Sequence, residues 1–364
     1  KERCKVLYQP TQKLAVDERM VRSKHRSGIR QYMKDKPTKW GLKLWVLADS
    51  DNGYTIDFNV YIGKDAAGET SEEGLGYDVV MKLMQPYLGQ GYHLYLDNFY
   101  TSNKLVTDLY SQGTPSTGTV KVNRRGFPEC LKDAKVWARK GKRGDLRWVR
   151  HSPVLTLQWI DSKPVSLLTS LYSANDQVTC KRRTKQRGVY SELTLPQPLA
   201  IHEYNQYMNG VDRSDQMLTC HNVSKKCRRW WKTLFFHLID IGVVNGFLLF
   251  QSYRAKNPEV EALHRPNKYS IVDFREALVR QIMGWHEYDD PPAYEKKTPG
   301  ESQFEAVHMP KVSEYRRQCV VCSKEGRGQR KVNTYCSAPQ CQKYLHIHTG
   351  LNCFETWHSR GYQR

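Results

Sequence analysis

The sequence has few acidic residues and lacks a long uninterrupted apolar run. Its 364 residues include 37 Asp and Glu against 57 Lys and Arg, which gives a formal net charge of +20. The longest apolar stretch, Leu234 to Phe250, contains His237, Asp240 and Asn245. It is short for a membrane span and carries polar groups that a bilayer excludes, so we expect a buried helix and no membrane partner. We expect no secretory signal, and because the chain opens on Lys1 we expect that an N-terminal portion is left out.

The ten cysteines are not distributed as in a secreted disulfide protein. Five of them are scattered, and the other five lie within the last 46 residues, where histidines are interleaved with them. In a basic chain this clustering is typical of zinc ligands in a reducing compartment, and we expect a nuclear protein. The candidate zinc ligands are Cys319, Cys322, Cys336, Cys341, His346, His348, Cys353 and His358.

Eight ligands in four successive pairs are the number that two tetrahedral zinc ions require. The spacing predicts a zinc-binding cross-brace, in which the first and third pairs bind one ion and the second and fourth pairs bind the other. Free thiols with scattered histidines are the alternative. We favour two structural Zn²⁺ ions, because a segment this short has too little core to fold without a metal.

The excess positive charge is concentrated in one part of the chain. Residues 120–190 contain 17 Lys and Arg and 5 Asp and Glu, a net charge of +12. Basic residues mixed with aromatic ones suit nucleic acid, because the cations release counterions and the rings stack on bases. The alternative for the basic residues is a solvated face without a partner. For Trp230 and Trp231, the alternative is that one or both cap the core of the following helix. The candidate DNA-binding residues are Lys181, Arg182, Arg183, Lys185, Arg187, Lys225, Lys226, Arg228, Arg229 and Trp230.

The order of predicted elements is three strands, a helix, a strand, a helix and a strand. The strands are predicted at 13–16, 40–48, 54–62, 93–96 and 118–122, and the helices at 76–88 and 102–110. This order is typical of an RNase H-like core, in which an antiparallel hairpin extends a sheet with crossover helices. We therefore predict a mixed α/β (α+β) fold.

Five segments are predicted along the chain. Residues 1–121 form the first part of the RNase H-like catalytic core, 122–198 a basic β-rich insertion, and 199–286 the helical remainder of the core. Residues 287–317 are a linker by composition, and 318–360 form the Cys/His-rich zinc domain. Strands within the insertion are predicted at 146–150, 154–160 and 165–172.

Acidic residues occupy the predicted ends of two strands and one later helix. Asp17 ends the first predicted strand and Asp97 the fourth, and these ends are adjacent in an RNase H-like sheet. Asp212 and Asp215 are three residues apart and share one helix face. Asp17, Asp97 and Asp212 together suit two Mg²⁺ ions that clamp both oxygens of a phosphoryl displacement. The alternative is that each acid is an ordinary surface residue or helix cap.

Four local motifs occur in an order known from one family. They are Val16-Asp17-Glu18, Lys36-Pro37-Thr38-Lys39-Trp40-Gly41, Leu96-Asp97-Asn98-Phe99-Tyr100 and Asn209-Gly210-Val211-Asp212-Arg213-Ser214-Asp215. With them the chain resembles the piggyBac transposases, most closely the subtype 4-like branch of the transposable element-derived proteins. The resemblance covers nearly all 364 residues. His346 alone matches the family's usual position in the third Cys/His pair, which makes His348 the weakest ligand candidate.

The resemblance implies a DDE/D transposase that cuts transposon ends and joins them to a TTAA target in double-stranded DNA. Asp17, Asp97 and Asp212 match the family's catalytic aspartates, and Asp215 matches a further acid. Part of 199–286 matches a DNA-binding and dimerisation region, which implies a homodimer. Two alternatives stay open: a non-catalytic host DNA-binding or chromatin protein, and a zinc-dependent interaction module, since RING and PHD modules share the cross-brace.

Overall fold

The computed structural model describes most of the chain as two compact units, residues 1–284 and 285–364. The described residues are all except 26, 35, 64–70, 187–188, 221, 224–228, 285–307, 340, 349 and 360–364, and of 185, 186 and 189 only the backbone is described. Residues 287–307 of the predicted linker, the candidates Arg187, Lys225, Lys226 and Arg228 and the side chain of Lys185 therefore lie outside the described part.

The first unit contains eleven strands and eight α-helices among its described residues. The strands are β1 (Lys13–Arg22), β2 (Arg30–Tyr32), β3 (Trp40–Asp49), β4 (Thr55–Val60), β5 (His93–Leu96), β6 (Ser116–Thr119), β7 (Leu146–His151), β8 (Val154–Ile160), β9 (Pro164–Thr169), β10 (Gln177–Gln186) and β11 (Val189–Pro198). The helices are α1 (Glu2–Val6), α2 (Leu75–Met84), α3 (Asn103–Ser111), α4 (Ala134–Lys140), α5 (Leu199–Tyr207), α6 (Gly210–Cys220), α7 (Trp230–Lys256) and α8 (Ile271–Met283).

A nine-stranded mixed sheet forms the centre of the first unit. Its order is β2-β3-β1-β5-β6-β9-β8-β7, and β4 also pairs with β3. β1 is antiparallel to β3 and parallel to β5, and β5 is parallel to β6. α2 and α3 connect the parallel strands, as crossover connections require. The predicted α/β class is confirmed, and the five predicted core strands occur in the predicted order, while β2 is an additional strand between the first two.

The first strand is longer than predicted, which changes the place of Asp17. β1 continues to Arg22, because β3 pairs with it from Leu14↔Asp49 to Arg22↔Gly41. The charged residues after Asp17 hid this continuation from sequence analysis. Asp17 therefore lies inside β1, at the point where the parallel partner β5 ends, and not at a strand terminus.

The predicted insertion is divided between the sheet and a separate hairpin. β9 pairs with β6 from Thr117↔Thr169 to Thr119↔Leu167, and β8 and β7 follow it in the same sheet. Residues 146–169 thus extend the core sheet, a long-range pairing that a local pattern does not reveal. β10 and β11 form a two-stranded sheet of their own, which the sequence analysis did not predict, and β10 carries Lys181, Arg182 and Arg183.

Helix α7 packs against the sheet through a polar contact. Among the described residues, α7 is the one helix that is long and apolar enough to span a membrane, and helices in protein cores meet the same criterion. The Asn245 side chain accepts a hydrogen bond from the Thr55 N–H at 3.0 Å and donates one to the Thr55 carbonyl at 2.8 Å. Arg275 of α8 donates to buried Asp240 at 3.0 Å. These contacts join α7 to β4 and α8.

The second unit is built around a small core rich in cysteine. Its described elements are β12 (Pro310–Gln318), α9 (Val320–Lys324), β13 (Lys331–Cys336) and α10 (Cys353–His358), and β12 pairs antiparallel with β13. All of β12 except Gln318 lies in the stretch predicted as linker. The strand was not predicted because its residues, which are nearly all exposed, show no apolar alternation. The core consists of Cys319, Val321, Cys322, Val332, Leu345, Cys353 and Trp357.

We predict that Asn245→Ala lowers the free energy of unfolding by about 2 kcal/mol, because it leaves the buried N–H and C=O of Thr55 without partners. The measurement is urea unfolding followed by circular dichroism. Gln251→Ala, at an exposed position of α7, is the matched control and should change stability by no more than about 0.5 kcal/mol. Equal stabilities of the two variants would contradict the structural role of Asn245.

Candidate functional site

Three carboxylates meet where β5 ends. The parallel pairing of β1 and β5 stops at Val16↔Leu96, while β1 continues, so the β5 side of β1 is open from Asp17 onwards. Oxygen atoms of Asp17, Glu18 and Asp97 lie within 4.8 Å of one another. The side chains of neighbouring strand residues leave the backbone on opposite faces of the sheet. Because no strand covers this side of β1, the carboxylates of both Asp17 and Glu18 can nevertheless lie near that of Asp97. We call these three residues the acid cluster.

The turn after β5 fixes Asp97. Its carbonyl accepts hydrogen bonds from the N–H groups of Tyr100 and Thr101, both at 3.1 Å, and from the Thr101 hydroxyl at 2.9 Å. Its carboxylate accepts a short hydrogen bond from the N–H of Asn98. A Cβ at Gly118 would lie 2.2 Å from Thr101 Oγ1, so only glycine allows β6 to pack this closely. The turn therefore holds the Asp97 carboxylate towards β1.

The charge of the acid cluster is only partly balanced. Burial raises the pKa of Asp17 to about 8, against the effect of Lys36, while the charges of Glu18 and Asp212 add to the rise. Burial also raises the pKa of Asp97. Lys36 Nζ lies 3.8 Å from Asp17 Oδ2 and 3.6 Å from Glu18 Oε1. A cation bound at the cluster would favour the ionised carboxylates and lower these pKa values.

The two aspartates of α6 have different surroundings. Asp212 is exposed, and it acts on Asp17 through its charge but lies outside the group of oxygens within 4.8 Å. Asp215 accepts a short hydrogen bond from Nε of Arg19, whose residue is only 1% exposed. The predicted shared face of α6 thus places Asp212 beside the acid cluster and Asp215 in an ion pair.

Three residues of this site were missed as functional candidates. Glu18 and Lys36 lie inside motifs that the sequence analysis quoted, and Arg19 follows Glu18 directly. The signal was present for Lys36, since a residue before proline is held in an extended conformation and Pro37 follows it. Glu18 lay beyond the predicted first strand, and alternation along β1 starts its side chain on the opposite face from Asp17, so no local pattern indicated it.

The described basic candidates are partly paired with acids. Lys181 lies 3.1 Å from Glu192 across the β10–β11 hairpin, and Arg182 lies 3.2 Å from Asp161. Arg183 and Arg229 are exposed. Trp230 and Trp231, at the start of α7, are 41% and 47% exposed, so neither is enclosed in the core.

Two clusters of four Cys and His residues lie in the second unit. One consists of Cys319, Cys322, His346 and Cys353, all buried, and the other of His308, Cys336, Cys341 and His358. Ligand atoms are 3.4 Å apart in Cys322–His346, 3.6 Å in Cys322–Cys353 and 3.2 Å in His308–Cys336. With zinc–ligand bonds of about 2.0–2.3 Å, tetrahedral coordination separates the ligands by roughly 3.3–3.8 Å. Both clusters are compatible with zinc binding.

The clusters differ from the predicted pairing in two ligands. Cys353 takes the place expected for His348, which is exposed and lies in neither cluster. His308 takes the place expected for Cys353 in the second cluster. His308 was missed because it lies 11 residues before Cys319, outside the compact Cys/His spacing, and only the pairing of β12 with β13 brings it to Cys336.

Comparisons with known proteins find a matching family model and human relatives. The family model described as Transposase IS4 matches residues 1–247. Human PiggyBac transposable element-derived protein 3 is 24% identical over 355 residues, which are 95% of this chain and 56% of that protein. Human PiggyBac transposable element-derived protein 2 is 26% identical over 228 residues, 61% of this chain and 38% of that protein. The chain spans about half the length of the curated relatives that it matches.

A solved structure is similar over nearly the whole chain. It is a cryo-EM structure of the piggyBac transposase synaptic complex with hairpin DNA, and it matches with a TM-score of 0.64 and 24% identity. The match covers 97% of this chain and 70% of that chain. At this identity the likeness shows the fold.

We predict that Asp215→Ala lowers the free energy of unfolding by about 3 kcal/mol, because it leaves the buried Arg19 guanidinium without its counter-ion. Guanidinium chloride unfolding measures the loss. Asp212→Ala, on the same helix and exposed, is the control and should change stability by no more than about 0.5 kcal/mol. A loss of the same size in both variants would show that the ion pair does not stabilise the fold.

Proposed function

The chain belongs to the piggyBac-type Transposase IS4 family, and from this membership we propose that it is a DDE/D-type DNA transposase or a domesticated derivative. It cuts and rejoins double-stranded DNA by metal-dependent phosphoryl transfer, with transposon ends and TTAA sites as substrates. The observation that carries the proposal is the acid cluster at the open end of β5, with Asp212 beside it.

The residues of the acid cluster fit Mg²⁺. Carboxylate oxygens are the ligands that this hard cation prefers, and the buried acids of the cluster are short of positive charge. Asp17, Glu18 and Asp97 would hold an ion, and Asp212 would complete a site for two ions. Bound Mg²⁺ supplies positive charge that stabilises the charge developing on a phosphoryl group during in-line displacement.

The basic residues serve DNA binding in this proposal. The net charge of +12 over residues 120–190 attracts the phosphate backbone, and Arg183 and Arg229 are exposed to contact it. Trp230 is exposed at the start of α7, and in this proposal it stacks on unpaired bases. We infer a nuclear location, where such a DNA substrate is found.

A homodimer is also proposed, through part of residues 199–286. Support comes from apolar side chains at the exposed end of α8: Val279 is 52%, Ile282 76% and Met283 65% exposed. Surfaces of this kind are typical of protein contacts.

The second candidate function is a non-catalytic host DNA-binding or chromatin protein. The names of the two human relatives favour it, since both are called transposable element-derived proteins. Such a protein needs the basic surfaces but not the acid cluster. A variant of one carboxylate therefore separates the two candidates.

We predict that Asp97→Asn reduces Mg²⁺-dependent strand cleavage of DNA with repeat ends flanked by TTAA by about 100-fold or more, because the cluster loses one charge that holds the cation. Duplex binding should be unchanged or slightly tighter, since a negative charge facing phosphate is removed. Gel-resolved cleavage and fluorescence anisotropy measure the two effects. Cleavage at the wild-type rate would remove the catalytic assignment, and an inactive wild type that still binds DNA would favour the second candidate.

The two Cys/His clusters are proposed as structural Zn²⁺ sites. A core of seven buried residues, three of them candidate ligands, is too small to fold without the ions. We predict that His308→Ala lowers the zinc content of the full chain from two ions to one, while His348→Ala keeps two. Elemental analysis of the purified proteins measures both. Two ions bound to the His308→Ala variant would exclude His308 as a ligand.

A further inference from the structure

Lys36 is the cation that lies closest to the acid cluster among the ion pairs of the described residues. It precedes Pro37 in the segment between β2 and β3, and its side chain is half-buried. Its Nζ donates to the Glu18 carbonyl at 3.2 Å and lies 3.6–3.8 Å from the carboxylates of Glu18 and Asp17. The ammonium therefore faces the space in which a divalent cation would bind.

The contacts of Lys36 are not those of a tight ion pair. Charged hydrogen bonds between nitrogen and a carboxylate are about 2.7–2.9 Å long, shorter than both of its carboxylate distances. The charges of Asp17, Glu18, Asp212 and Asp215 all act on it. One ammonium thus neutralises several acids without being bound firmly to any of them.

A second lysine nearby has different contacts. Lys43 Nζ lies 3.8 Å from the centre of the Trp45 ring and 5.1 Å from that of Phe99. Cation–π contacts of this kind keep its charge on the aromatic surface. Lys36 has the carboxylates themselves as its partners, so it is the residue placed to exchange with an incoming cation.

We propose that Lys36 is the internal counter-ion of the acid cluster in the free protein and passes to a DNA phosphate when a divalent cation takes its place. The proposal rests on the proposed function, since it assumes that the cluster binds a cation next to DNA. It assigns Lys36 a role as a positioning residue that couples cation binding to DNA binding.

The coupling follows from charge alone. An ammonium and a divalent cation that share the same carboxylates repel each other, so Lys36 weakens cation binding in the free protein. A phosphate that draws the ammonium away removes this competition. DNA then raises the cation affinity, and by linkage the cation raises the DNA affinity by the same factor. The acid cluster thereby fills with cation chiefly when DNA is present.

The first experiment measures Ca²⁺ affinity of the full chain by isothermal titration calorimetry without DNA. Lys36→Gln should bind Ca²⁺ about 10-fold more tightly than the wild type, because the competing charge is gone. Lys36→Arg keeps the charge, and Lys39→Gln removes an exposed charge from the same segment. Both should match the wild type. Unchanged or weaker Ca²⁺ binding by Lys36→Gln would overturn the proposal.

The second experiment measures the linkage with a short duplex containing TTAA, in Ca²⁺. In the wild type, Ca²⁺ should tighten duplex binding about 10-fold, and in Lys36→Gln this factor should be clearly smaller, because no ammonium is released to the phosphate. The wild-type measurement needs no variant, so it tests the proposal even if Lys36→Gln does not fold. Equal factors in the two proteins, or no effect of Ca²⁺ on the wild type, would overturn it.

Asp97→Asn separates this proposal from the proposed function. If Asp97→Asn binds Ca²⁺ as the wild type does, the acid cluster is not the cation site and both proposals fail. If Ca²⁺ binding depends on Asp97 but Lys36→Gln leaves it unchanged, the cation site stands and only the role of Lys36 fails.

Discussion

The buried guanidinium of Arg19 is the constraint on which the candidate site depends. A buried cation is costly unless an anion pairs with it, and here the anion is Asp215 of α6. The ion pair joins α6 to β1 two residues after Asp17. Thr55 of β4 adds to the contact, since its Oγ1 lies 3.0 Å from Ser214 Oγ. Because Arg19 pairs with Asp215, α6 packs against β1, and Asp212 of the same helix comes to lie beside the acid cluster.

The end of β5 is the second determinant of the site. Inside a sheet, a strand neighbour would separate Asp17 from any carboxylate across the sheet. Because β5 stops at Leu96 while β1 continues, the acids of two strands meet in one opening. A chain with a net charge of +20 thus concentrates negative charge in one opening, which in the proposed function is where DNA is cut. In that proposal the positive field of the chain attracts phosphate, and a bound cation offsets the repulsion between phosphate and the acids.

The second unit has only a small apolar core. Three of the seven buried residues in this core are cysteines, so apolar burial alone offers little stability. Two sets of four Cys and His side chains, drawn from a strand, turns and two short helices, are compatible with metal binding, and in the proposed function bound metal stabilises the unit in place of a larger core. His308 shows how far the ligand set extends along the chain, since it is supplied from a stretch whose composition predicted a linker.

The sequence by itself determined the α/β class, the order of the core strands, the long helix α7 and the family, because these depend on local periodicity and on motifs of neighbouring residues. It also identified Asp17 and Asp97, which the structure brings together, while their catalytic role stays a prediction. Only the tertiary structure decided that residues 146–169 extend the core sheet, that Glu18 and Lys36 join the site, and that His308 rather than His348 completes a Cys/His cluster. Each of these features depends on contacts between residues that are distant in sequence, or on the side of β1 that β5 leaves uncovered. A local sequence pattern carries no information about either.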